Sequence, residues 1–407
     1  MSTIINATTT NGVVIQPDNS GSLVLQTNNG TTALTIDTSQ NATLAGKLTT
    51  ASSGIQFSDA SIQTAAASPY VLKNRIINGD MRIDQRNAGA SGTASAYTVD
   101  RWNYTGTQAS KGTWQQNAGS VTPPAGFSNY LGFTSSSSYS VLTGDTFLFN
   151  QAIEGYNIAD LDWGTANAKT VTLSFWVRSS LTGTFGGALS NDPARSYAFS
   201  YTISAANTWE QKSITIVGDQ SGTWTKTNSL GVVVRFGLGS GATYSGTAGA
   251  WTAGNLVQPT GTVSVVGTNG ATFYITGVQL EIGTSATPFE RRLYGQELNS
   301  CMRYYEKLIG EGYSAFGAGY ATSTTATRYC VTWQVKKRTN ATVTFSAANT
   351  FYVQGFGVGG VPSAVSVVGG PSTSSFLMEA TGTYTGGAGF TILDNATSGI
   401  IQISAEL

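Results

Sequence analysis

Apolar and polar positions alternate along most of this chain. In "VTLSFWV" (171–177), "YAFSYTI" (197–203), "KSITIVG" (212–218), "LGVVVRFGL" (230–238) and "TFYITGVQLEI" (272–282), apolar side chains fall at every second position or run together. Period two puts alternate side chains on one face of a strand, and short apolar runs between turns read as buried strands. Turn clusters such as "NDPARS", "GDQSG" and "GSGATYSGTAG" separate them. Many strands and almost no helical period predict a jelly-roll-like β-sandwich with long loops over residues 70–292.

The flanking segments are patterned differently. Residues 1–69 carry a quasi-repeat of short apolar pairs: Val13 and Ile15, Leu23 and Leu25, Leu34 and Ile36, Ile55 and Phe57. Such units are too small for a private core. Stacking and association between chains would cover them, which predicts an intertwined or β-helical shaft, trimeric in form. Residues 293–407 form a second β-rich domain, entered through a helix. Its strands are "TRYCVTWQV" (327–335), "ATVTFSA" (341–347), "TFYVQGF" (350–356) and "GIIQISAEL" (399–407), and residues 357–375 read as a long loop or hairpin tip. At its entrance Tyr294, Leu298, Cys301, Tyr305 and Leu308 recur with spacing 4, 3, 4, 3. That stripe fits a short coiled coil on a threefold axis. It fits equally a single amphipathic helix packed on its own sheet. Arg291, Arg292, Glu297, Arg303 and Glu306 are then expected to form salt bridges at the joint.

Charge narrows the functional classes. Lys plus Arg is 21 and Asp plus Glu is 21, so the formal net charge is zero. A nucleic-acid binder needs a cationic excess to displace counterions, so none is expected. Charged residues are only 10% of the chain against 49 glycines, which suits an extracellular or virion protein. Histidine is absent, which removes imidazole bases and Ser/His/Asp triads. The start of the chain has no basic or apolar leader pattern, and no apolar run is long enough to span a bilayer, so neither a signal peptide nor membrane insertion is expected. Cys301 and Cys330 are expected to be buried free thiols.

A family resemblance lies in ordered blocks. "NRIINGDMRIDQRN" (74–87), "YTVDRWNY" (97–104), "NQAIEGYNIADLDWGTANAKTVTLSFWVRSS" (150–180) and "NTWEQKSITIVGDQSGTW" (207–224) resemble successive blocks of tailed-bacteriophage tail-fibre domains. So do "FYITGVQLEIGTSATPFERR" (273–292) and "ELNSCMRYYEK" (297–307). "VKKRTNATVTF" (335–345) and the final "AEL" resemble that family's last domain. "GIQFSDASIQTAA" (54–66) is similar to segments that end fibre shafts, with Ala60 where Gly is usual. The resemblance implies a homotrimeric virion protein made in the host cytoplasm. It further implies attachment to the phage tail, baseplate or an adaptor through residues 1–69. The central domain would resemble a carbohydrate-binding jelly roll, and the partner would be host surface polysaccharide. No cofactor and no metal are implied.

Candidate chemistry is sparse. Glu154, Asp160 and Asp162 cluster in "QAIEGYNIADLDW", and a glycosidase needs two carboxyl groups flanking a sugar bond. The competing expectation is that Glu154 satisfies an arginine and the aspartates belong to a turn. Asp100 is expected to hold a strand end. Aromatic rings are the better signal, because flat rings pack on the apolar faces of sugars. Phe175, Trp176 and Trp209 are expected in the core. Trp114, Trp224, Tyr244 and Trp251 lie in Gly/Ser/Thr-rich surroundings and are the candidate ligand contacts. Tyr313, Phe316 and Tyr320 form an alternative surface. The expected function is non-enzymatic host attachment through surface glycan. The alternatives are a carboxylate-based depolymerase and a purely structural fibre component.

Overall fold

A computed structural model describes residues 22–27, 31–45, 55–56, 62–63, 72–191, 194–355, 358–384, 389–395 and 399–407. The chain divides into two compact units, Met1–Val71 and Leu72–Leu407. Val13, Ile15, Phe57 and most of 54–66 lie outside the described residues.

In the first unit β1 (Leu23–Thr27), β2 (Thr31–Ile36) and β3 (Ala42–Leu44) form an antiparallel sheet. Leu23 pairs with Ile36, Leu25 with Leu34, and Leu34 with Leu44. Side chains alternate, so these five apolar residues share one face. None of them is buried within the chain.

The second unit begins with a sandwich. Its strands are β4 (Ala96–Tyr97), β5 (Asn103–Gly106), β6 (Gly112–Gln116), β7 (Leu131–Ser135), β8 (Thr146–Glu154), β9 (Val171–Ser179) and β10 (Gly183–Ser190). They continue with β11 (Arg195–Ile203), β12 (Glu210–Ile216), β13 (Leu230–Ser240), β14 (Ser245–Gly246), β15 (Trp251–Ala253), β16 (Gln258–Pro259) and β17 (Thr272–Ile282). One sheet runs β15-β11-β10-β13-β8-β5-β4, the other β12-β9-β17-β7-β6. The inward faces of both supply one core, including Phe133, Phe147, Phe149, Phe175, Phe236 and Phe273. The five strands expected from alternation are all present, with ends displaced by a few residues. Phe175 lies in this core, while Trp176, its neighbour on β9, faces outward and is half-buried, as alternation requires. Trp209 is half-buried against Tyr130, with ring centroids 5.5 Å apart.

Beyond the sandwich, α1 (Tyr294–Met302) leads into β18 (Tyr305–Ile309). The helix is therefore shorter than the apolar stripe. Tyr305 and Leu308 belong to a strand, and the residues of α1 that are buried are Glu297, Cys301 and Met302. A coiled coil through Leu308 is excluded, and Tyr294 is exposed. The remaining strands are β19 (Ala315–Ser323), β20 (Ala326–Thr332), β21 (Thr342–Phe345), β22 (Phe351–Gly355), β23 (Val358–Gly360), β24 (Ala364–Gly369), β25 (Ser375–Thr381), β26 (Gly389–Asp394) and β27 (Ile400–Ser404). They make a small sheet, β18-β27-β21, and a large one, β23-β22-β26-β19-β20-β25-β24. β23 and β24 occupy part of 357–375, where a long loop or hairpin tip is expected, and β24 pairs with β25 as a hairpin; alternation in "AVSVV" places Val365 and Val367 against the core. Cys301 is buried, but Cys330 is exposed because it lies on the outward face of β20.

Charged groups join the sandwich to this last domain. Arg303 Nε and the Tyr304 hydroxyl donate to Glu154 at 2.9 and 2.8 Å. Within the last domain, Lys337 Nζ lies 2.6 Å from Glu306. Arg292 lies 3.4 Å from Glu297, and Arg291 stacks over Phe127 at 4.6 Å. Asp100 accepts from the Gln85 backbone and side chain beside this joint. Burial pushes its carboxyl up to about 6, against the hydrogen bonds from Gln85 and the charge of Arg86. Burial also raises Asp80 and Glu297.

A raised acid binds more protons folded than unfolded, so stability falls as pH climbs between the two pKa values. Urea midpoints are expected to decline as pH rises from about 4 through about 6 and to level about a unit above that, with Asp100 contributing about 3 kcal/mol at roughly 1.4 kcal/mol per unit. In Asp100→Asn that decline is expected to be shallower.

Candidate functional site

A cleft of about 270 Å³ opens on the outer face of the seven-stranded sheet. Its floor comes from strand alternation. Phe147 and Phe149 of β8 point into the core, so Thr146, Leu148 and Asn150 point out. Val233 and Arg235 of β13 and Thr105 of β5 complete the floor. Asn150 stands directly opposite Arg235, and Leu148 opposite Thr105. The Asn150 amide donates to Thr105 Oγ1 at 3.3 Å.

The wall is the connection from β13 through β16, which contributes Tyr244, Asn255 and Val257. Arg235 holds it down. The guanidinium donates to the Leu256 carbonyl at 2.8 Å and to Asn255 Oδ1. A guanidinium this buried needs such acceptors, since desolvating it without them costs several kcal/mol. The Val257 amide donates to the Tyr244 carbonyl at 2.8 Å, and the Leu256 amide to Ser196 Oγ at 3.0 Å. β14 and β16 pair in parallel above the sheet.

Asp145 anchors the same wall from below. It accepts from the Tyr139 hydroxyl at 2.6 Å, Thr107 Oγ1 at 2.9 Å, the Leu142 amide at 3.0 Å and Gln108 at 3.1 Å. Its own carbonyl accepts from the Gly241 amide at 2.9 Å, at the root of the turn bearing Tyr244. The hydrogen bond from Tyr139 is the main reason its carboxyl is held down at about 2.

The four aromatic candidates from sequence are scattered by the fold. Tyr244 lines the cleft. Trp114 is only 4% exposed: its ring lies where a Cβ on Gly92 would stand at 2.1 Å, and its indole N–H donates to the Ala94 carbonyl at 2.8 Å. It is a core residue of β6, because alternation turns it inward. Trp224, 7% exposed, packs edge-on against Trp163 at 4.7 Å and Trp251 at 5.3 Å. Trp251 is half-buried, and its indole donates to the Val217 carbonyl at 2.7 Å. These three rings satisfy one another and lie outside the cleft lining. In the last domain Phe316 packs on the core against Phe351 at 5.5 Å, while Tyr313 and Tyr320 are exposed.

The carboxylates are committed elsewhere. Glu154 is held by Arg303 and Tyr304. Asp160 pairs with Arg75 at 2.6 Å and Asp162 with Lys226 at 3.2 Å. Both aspartates lie in or just after the 3-10 turn Gly155–Leu161. No carboxylate is among the residues lining the cleft. Among the described residues no cluster of metal-ligating side chains occurs. No helix there is long and apolar enough to cross a membrane.

Sequence reading missed most of the lining: Thr105, Thr146, Leu148, Asn150, Val233, Arg235, Asn255 and Val257. One signal was available. Arg235 interrupts the apolar run "LGVVVRFGL", and an arginine there must meet acceptors from another element.

No family model matches the chain, and neither does any curated protein. Solved structures do resemble its fold at low identity. The enzymatically active domain of bacteriophage CBA120 tailspike protein 4 aligns at 13% identity over 52% of this chain and 21% of that one, TM-score 0.28. The family 11 carbohydrate-binding module of a Clostridium thermocellum cellulosomal cellulase aligns at 11% over 49% of this chain and 98% of that one, TM-score 0.25. A xylan-binding domain from Paenibacillus barcinonensis aligns at 10% over 49% and 99%, TM-score 0.23.

Removing the Asp145 carboxylate is expected to loosen the Tyr139–Leu142 segment on which the wall's root rests. In Asp145→Ala, amide exchange at Leu142 should accelerate by about tenfold or more, the loss expected for a hydrogen bond to a charged acceptor. The lowered pKa gives the pH sense. The stabilisation is present above the unfolded value and is lost as pH falls from about 4 towards 2. Exchange measured by mass spectrometry at pH 3 and pH 6 checks both.

Proposed function

We propose that this chain is a phage tail-fibre protein that attaches to its host by binding surface glycan in the cleft over β8 and β13, without cutting it. The carrying observation is the lining itself. It combines hydroxyl and amide groups (Thr105, Thr146, Asn150, Asn255), a guanidinium, apolar Leu148, Val233 and Val257, and the ring of Tyr244. A sugar presents hydroxyls at its rim and C–H groups on its faces, and this mixture matches both. The ordered sequence blocks support the virion role, with tail, baseplate or adaptor contact through residues 1–69. The ion pairs that hold Glu154, Asp160 and Asp162 support a binding rather than a hydrolytic role.

The uncovered apolar face of β1–β3 supports a homotrimer. Among the described residues Leu25 and Leu44 are exposed and Leu23, Leu34 and Ile36 only half-buried, and other copies of the same sheet would complete their cover. Three copies would then present three clefts, and linked sites bind a repetitive polysaccharide far more tightly than one.

Two measurements test this. Purified protein should adsorb to host cells and to their extracted polysaccharide and release no oligosaccharide, and Tyr244→Ala and Asn150→Ala should each weaken adsorption about tenfold or more. Undiminished adsorption by both variants sinks the cleft reading, and released oligosaccharide sinks the non-enzymatic one. Separately, light scattering should give three times the chain mass, and Leu34→Asp should reduce it towards one. A monomeric parent rules out the trimer.

A further inference from the structure

We infer that the last domain carries a second, independent glycan site, a recess of about 410 Å³ lined by Tyr313, Tyr352, Gln354 and Leu393, which takes a neutral hexose unit. Tyr352 and Gln354 are the outward residues of β22, and Leu393 lies beside Tyr352 on β26. Tyr352, a floor residue, lies across the β22–β23 hairpin, where Gly359 leaves room for it: a Cβ there would stand 2.6 Å from the Tyr352 hydroxyl.

Tyr313 is the unusual member. It is 59% exposed and adopts φ +59°, a conformation that a bulky L-residue rarely takes. The backbone around it is pinned. Buried Asp394 accepts from the Gly312 amide at 3.1 Å and from the Gly399 amide, and its own amide donates to the Ser314 carbonyl at 2.9 Å. The Glu311 amide donates to Ser314 Oγ at 2.8 Å. Strain of this kind persists only where the surroundings over-determine it. Here they hold an apolar ring in water, with no gain to the core. Folding alone gives no reason for that ring to be tyrosine.

The lining selects the ligand class. Two tyrosines supply flat, amphipathic faces with few rotors to freeze, and Gln354 supplies both a donor and an acceptor for ring hydroxyls. Leu393 closes the floor. None of the four is charged, so a uronate or sialate would leave its carboxylate without a cationic partner. Neutral hexoses fit; acidic ones do not.

The test uses the full chain with the sandwich cleft disabled by Tyr244→Ala and Asn150→Ala, so that failure of either site is seen apart from the other. The probes are immobilised neutral polysaccharides (mannan, β-glucan, starch and galactan) and, as the acidic arm, polygalacturonate. The expected result is residual binding to at least one neutral probe, lost about tenfold or more on adding Tyr313→Asn, and likewise on adding Gln354→Ala. Asparagine tolerates positive φ, so Tyr313→Asn removes the ring and keeps the loop; an unchanged thermal midpoint confirms this. Residual binding untouched by both substitutions overturns the site. So does binding of the acidic probe alone, or of none.

Discussion

The joint between the two β domains of the second unit is built around one buried cation. Arg101 is enclosed at the corner of the sandwich, with its guanidinium 3.6 Å over the ring of Tyr304. It donates to Glu406 and to the Ala152 carbonyl. Its three partners belong to the sandwich, to the entrance of the last domain and to the penultimate residue of the chain. Arg86 reaches the same carboxylate at 2.9 Å and stacks over Tyr305 at 3.6 Å. A charge this deep is tolerable only with its counter-charge in place. Deleting one side of such a pair typically costs about 3–5 kcal/mol, because the other side is stranded. The interaction ties three segments far apart in sequence to one point.

The tail fibre-like blocks take on a physical meaning in this light. Asn74 accepts from the Ile76 and Leu280 amides and donates to Val278. Asn78 donates to Ile83 and Asp100. Gln151 exchanges hydrogen bonds with Ile77. Glu154, Arg303 and Glu406 belong to the joint. These are buried polar groups with a single acceptable set of partners, and such groups tolerate few substitutions. The blocks that carry the resemblance are the frame. Neither proposed binding site draws its distinctive lining from them alone: Tyr244, Arg235, Asn255, Tyr313 and Tyr352 all lie outside.

That division explains what was legible in the sequence. The strands over 171–179, 195–203 and 230–240 could be read because alternation is a local property of neighbouring residues. The burial of Trp114 was only partly legible: alternation turns it inward, but the room for its ring depends on Gly92, from another segment. The end of α1, where a 4,3 spacing continued into a strand through Tyr305 and Leu308, could not be read. The cleft was illegible for the same reason. Its floor comes from β5, β8 and β13 and its wall from the 241–257 connection, and only pairing register brings Asn150 opposite Arg235.

A rigid frame with plain loops has a mechanical consequence for recognition. Arg235 is both floor and tether, since it reaches from the middle of β13 to the Leu256 carbonyl. The Asp145 carbonyl holds the other end of the wall at Gly241, and its carboxylate orders the Tyr139–Leu142 segment below it. With the wall held at both ends, Tyr244 is pre-placed, so binding of the proposed kind would leave little ordering entropy to lose. In the last domain Asp394 performs the same service for Tyr313. The loop of Tyr313 is thus held by the Asp394 carboxylate, and the turn of Tyr244 by the main-chain carbonyl of Asp145. Apart from Arg235, the charged side chains at these two recesses serve the frame, and the linings consist of hydroxyls, amides, apolar groups and rings.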